Sequence, residues 1–155
     1  MQKFVSKLKG IGLLELMLSL AIIAILLVMA TRYFSSASKA QKGEDTVQLI
    51  GEFESAISSY TSSTGGPKKD ATLTALLEQG YLSQGRVGAD KQLKQIWGSP
   101  ITYTEGVSLS FAGVALTECK AMAARFGSTG VPGDTSPATC KGTDSDYGVF
   151  TYTFK

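Results

Sequence analysis

The sequence predicts an α+β chain: a long N-terminal helix, membrane-spanning in its first half and amphipathic in its second, packed on an antiparallel sheet whose C-terminal region is bounded by two cysteines. Three observations carry this. Residues 11–31 hold 21 positions whose only ionisable group is Glu15. Val47, Ile50, Phe53, Ile57 and Tyr60 then recur at three- and four-residue steps, the spacing of one helix face. Towards the far end, short segments alternate apolar and polar residues as strands do.

The apolar run comes first. About 20 apolar residues rising ~1.5 Å each cover a hydrocarbon layer of ~30 Å. Lys3, Lys7 and Lys9 precede it without an acid, which favours an N-terminus held in the cytoplasm and the remainder outside. Beyond it the stripe leaves Glu44, Asp45, Glu52 and Ser55 on other faces, so this half of the helix expects a sheet to pack on. Gly43 and Gly51 are tolerated interior glycines. Gly65-Gly66 and Pro67 end the helix, because glycine accepts the left-handed stop and proline forbids resumption. The expected helix is therefore residues 11–62, ~78 Å long if continuous, with 11–31 as the spanning part and 63–155 as a globular head.

Within the head, Asp70 is the expected cap of a short helix over "ATLTALLEQ", closed by Gly80. Ile101–Thr104, a Glu105-Gly106 turn and Val107–Phe111 read as a hairpin. "TECKAMAARFG" reads as a second short helix, capped by Thr117 and ended by Gly127, and a loop rich in Gly, Pro, Ser and Thr follows. Tyr147 to Phe154 alternates as a closing strand with Phe150, Tyr152 and Phe154 on one face. If the head is exported, Cys119 and Cys140 meet an oxidising compartment and are expected to pair; two buried thiols are the alternative. Such a bridge closes 22 residues with few large apolar side chains, for which the chain-entropy account gives ~3 kcal/mol.

Composition excludes several classes. There is no histidine, hence no Ser–His or Cys–His pair and no histidine metal site. No glycine-rich phosphate loop with its lysine occurs. The net charge of +2 becomes −1 if residues 1–10 leave with their three lysines, 12 basic groups then facing 13 acids. That is no nucleic-acid footprint, and Lys68-Lys69 reads as a solvated loop. Asp134, Asp144 and Asp146 flank the cysteine segment, but the short D-x-D pair does not make a calcium loop. No enzyme, cofactor or metal site is expected.

The lone acid of the apolar run is the informative residue. A secretory signal peptide would have a shorter apolar stretch without a carboxylate, and a plain anchor leaves the acid without a partner at a cost of a few kcal/mol. Cleavage between Gly10 and Ile11 supplies that partner as the new amino group of Ile11. In a bundle of staggered identical helices, Glu15 of one copy can meet the Ile11 amine of the next. At ~4 Å and an effective dielectric of ~20 the attraction is ~4 kcal/mol, much of it offset by desolvation. The pair then works as a register mark between otherwise featureless helices.

Lys9-Gly10 followed by Ile11, Glu15 and some 20 apolar residues resembles the class III signal of type IV pilins and their pseudopilin relatives, a match covering residues 1 to ~60. Trp97-Gly98-Ser99-Pro100, with Ile101 and Tyr103 behind it, is similar to the turn that enters the sheet in pilins and major pseudopilins. Many type IVa pilins have Phe, Gly and Pro where this chain has Ile11, Ala24 and Arg32. Ile11 and the absent proline lean towards the type IVb group, as does a short helix inside the cysteine-bounded region, whereas the ten-residue leader leans towards type IVa. The resemblance implies removal of residues 1–10 by a prepilin peptidase and N-methylation of Ile11. It also implies a single-pass precursor in the bacterial inner membrane and an assembly platform there. The product is a homo-oligomeric helical filament outside the cell, with the disulfide-bounded region on its surface. Major pseudopilins bind calcium in a comparable loop. The expected function is a structural subunit of a type IV pilus, the major one, serving adhesion, aggregation, motility or DNA transfer. A type II secretion pseudopilin and a membrane-anchored binding module that never polymerises are the alternatives.

Overall fold

The computed structural model describes residues 12–128, 136–142 and 146–155. It forms two units, one up to Ser38 and one from Lys39 to Lys155. Helix α1, Leu13–Thr64, carries both halves of the expected long helix. It stops as the glycines require: Gly65 lies at φ 67° and its N–H bonds Thr61 O at 2.9 Å.

In the head unit, α1 buries Gly43, Thr46, Leu49, Ile50, Phe53, Ala56 and Ile57, while Val47 and Tyr60 pack half-buried at the margins of the same stripe. The partner is a four-stranded antiparallel sheet of order β1-β2-β4-β3, from β1 Ile101–Thr104, β2 Ser108–Ala115, β3 Ala138–Gly142 and β4 Tyr147–Thr153. Phe53 is the hinge pin of the packing, its ring centroid 4.9 Å from Tyr103 and 6.5 Å from Phe154. Leu109, Phe111, Phe150 and Tyr152 fill the inner face behind it. The outer face carries hydroxyls instead: Thr102, Ser110, Thr151 and Thr139 stand in one row across the four strands, with the Ser110 and Thr151 hydroxyls 3.0 Å apart.

Several expectations need correction. The first short helix, α2 Leu73–Glu78, is capped by Thr72, whose hydroxyl accepts from Ala75 N at 3.1 Å, and not by Asp70. Pro67 starts a 3₁₀ turn over Lys68–Asp70 that consumes the Asp70 backbone first: its N–H bonds Pro67 O and its carbonyl accepts from Thr72 N. The second, α3 Leu116–Arg125, begins one residue before Thr117. Strand β2 runs through Ala115, so the helix starts without a side-chain cap, and the Leu116 N–H is taken by Asp146 O at 2.9 Å. The hairpin turn is three residues, Glu105 to Val107, since Thr104 pairs with Ser108. Gly106 has no substitute there: at φ 61°, a Cβ would sit 1.8 Å from Lys68 O. Strand β3 occupies part of the expected loop, whereas the rest of that loop, with Asp134 and Asp144, lies outside the described residues.

Candidate functional site

The first candidate site is the apolar part of α1. From Leu13 to Met29 the large apolar side chains are exposed, Leu16 at 49% and Leu27 at 60%. The helix is long and apolar enough to cross a membrane. Its two hydroxyls are satisfied within the helix, Ser19 donating to Glu15 O and Leu16 O, and Thr31 to Val28 O, each at 3.0 Å. This back-bonding is what a segment without water needs. Glu15 stands exposed in the first turn, where the positive helix end favours a carboxylate. Among the described residues no hydrogen bond or ion pair reaches its side chain. Gly10 and Ile11, the expected cleavage pair, lie outside the described residues.

The second candidate is the cysteine-bounded region. Cys119 and Cys140 form a disulfide with Cα atoms 5.7 Å apart, joining α3 to β3. Cys119 is fully buried in the middle of α3, beside Met122 and Ala123, and Cys140 stands opposite Phe150 on β4. The bridge therefore ties an edge strand with little apolar content to a helix that the core already holds. Arg125 at the end of α3 pairs with Glu44 of α1 at 2.6 Å, and that hydrogen bond and charge hold the Glu44 carboxyl below the usual range. Both groups are exposed, so the pair orients more than it stabilises.

Further contacts position this head. Arg86 grips Glu52 with both Nε, at 2.7 Å, and a terminal nitrogen. Tyr152 donates to Glu54, and burial first, then that contact, pushes its phenol up to about 12. Trp97, singled out with Gly98 as a turn motif, donates from Nε1 to the Thr46 hydroxyl at 2.9 Å. Thr46 passes the bond on to Lys42 O at 2.8 Å, and Lys42 Nζ lies 5.8 Å from the Trp97 ring centroid. Thr46 is fully buried, a polar residue of the packing that periodicity alone did not single out. Its signal was a threonine on an otherwise apolar helix face.

Clefts also open on the head. One, between α2 and the segment around Gly88, encloses about 280 Å³, and Glu78 and Lys91 are its titratable lining groups. Among the described residues no three His, Cys, Asp or Glu side chains converge as metal ligands. Comparison with protein-family models, curated proteins and solved structures finds no match to this chain.

Proposed function

We propose that this chain is the precursor of a type IV pilin, the major subunit of a surface filament. The observation that carries the reading is a continuous helix, Leu13–Thr64, whose apolar first half has no packing partner among the described residues and bears one carboxylate at its start. An exposed apolar helix of this length asks for lipid or for copies of itself. A pilin uses both in turn. The precursor keeps the span in the inner membrane, a peptidase removes residues 1–10, and assembly moves the span into a bundle that is also dry. Lipid and bundle are similarly apolar, so the transfer needs little energy. The Glu15 carboxylate and the Ile11 amine of a neighbouring copy then select one register. The disulfide supports a head that works outside the cell, where its cross-link survives.

Replacing Glu15 with Ala, followed by N-terminal sequencing of protein sheared from cells, tests this. The parent chain should yield fibres beginning at methylated Ile11. Glu15→Ala should still be cleaved, but its sheared yield should fall at least tenfold. A chain that stays cell-bound whether or not it carries Glu15 is a simple anchor, and one released with a start near Thr31 is ordinarily secreted. Fibres that remain in the periplasm would instead favour the secretion pseudopilin.

A further inference from the structure

The apolar run of α1 ends on three consecutive residues of a different kind. Arg32, Tyr33 and Phe34 are all exposed, the two rings at 78% and 76%. Successive helical residues point ~100° apart, so these three side chains reach around most of the helix at one level. A stripe built to meet a protein would recur every three or four residues on one face, as the buried set of the head does. A belt at one level fits a layered partner that looks the same from every side. Amphipathic tyrosine and an aromatic neighbour suit the boundary between hydrocarbon and headgroups, and the Arg32 guanidinium suits lipid phosphate.

We propose that Arg32, Tyr33 and Phe34 form a collar that seats the helix at the outer headgroup layer of a phospholipid bilayer and thereby holds the Glu15 carboxylate at the opposite layer. Glu15 lies 17 residues before Arg32 on the same helix, ~25 Å along its axis, against ~30 Å of hydrocarbon. The remaining ~5 Å is within reach of a glutamate side chain, which leans towards the helix N-terminus and so towards that nearer surface. The acid is then stored at the membrane edge and not at its centre, where a charge is costly. It loses water only when the helix is drawn outward into a bundle, which is where its amine partner becomes necessary. This inference rests on the membrane-stored precursor proposed above.

The experiment uses the full uncleaved chain carrying Leu14→Trp, in vesicles of phosphatidylcholine and phosphatidylglycerol brominated at shallow or deep acyl positions. The chain without that substitution supplies the Trp97 background. Shallow bromines should quench the reporter most. Adding Arg32→Gln, Tyr33→Ala and Phe34→Ala should move the quenching maximum by about one helical turn (~5 Å) and broaden it. Tyr33→Phe with Phe34→Tyr, which keeps both rings, should restore the parent depth. An unchanged maximum in the triple variant overturns the collar while leaving the membrane reading intact. An unchanged maximum together with lost fibres would mean that these residues face other copies. Absence of quenching by every lipid in the reporter chain overturns both readings.

Discussion

The two halves of α1 are both helical, yet they obey different rules. In the second half, Ile50 and Phe53 are fully buried, and polar residues such as Glu44, Asp45 and Ser55 face water. In the first half, Leu16 and Leu27 are as apolar as any core residue yet half exposed, and no polar face balances them. A one-sided stripe is a statement about a partner inside the chain, since only one direction needs covering. All-round apolarity, uncovered among the described residues, is the pattern of a helix long and apolar enough to cross a membrane. The same contrast separates the roles of the two parts in the proposed filament, where the first half is the shared shaft and the second fastens each head to it.

The contrast breaks most sharply at Phe53. Phe53→Ala removes a ring packed against Tyr103 and Phe154, and should cost the head ~3–5 kcal/mol in denaturant unfolding of the full chain in detergent. A loss below ~1 kcal/mol would mean that α1 does not carry the core. Next in size is the bridge. Replacing Cys119 and Cys140 together by Ser should lower unfolding stability by ~3 kcal/mol. It should also expose β3 to proteolysis before the central strand β2, because β3 is an edge strand that pairs with β4 alone, whereas β2 is paired on both sides.

Alkali supplies a third measurement. Tyr152, at about 12, titrates above an ordinary tyrosine at ~10. Its contribution is therefore complete below pH ~10 and is lost as pH rises through about 12. Unfolding midpoints should fall over that window, and less so in Tyr152→Phe. Tyr103, also raised by burial, leaves a residual slope in the same direction. If the two curves run parallel, Tyr152 is not desolvated as the packing requires. The smallest effect belongs to the other half of the helix. Leu20→Ala, a side chain 57% exposed, should change head stability by less than ~0.5 kcal/mol. A larger change would erase the distinction between the halves.

Some of this was legible in the residues and some was not. The closing strand was readable because Phe150, Tyr152 and Phe154 repeat at period two, and all three are buried. Strand β3 was not, because of its five residues only Ala138 is buried and Cys140 half-buried, too few to set a pattern. The helix starts were misplaced for a related reason. Asp70 and Thr117 are good caps in isolation, but a preceding 3₁₀ turn and a continuing β2 took their places. At the candidate sites, the solitary Glu15 and the two cysteines stood out by rarity. Thr46 on an apolar helix face hinted at a buried partner, but that the partner is Trp97, 51 positions away, left no local trace.

By itself the sequence determined the long helix, its division into an apolar and an amphipathic half, and its glycine stop, because periodicity and chain-breaking act over neighbouring residues. Tertiary structure alone decided the strand order β1-β2-β4-β3, the edge strand that Cys140 secures, and the side chains that fasten α1 to the head. Those depend on which distant segments can satisfy one another's backbone and polar groups, and such pairings are settled only when the chain closes on itself.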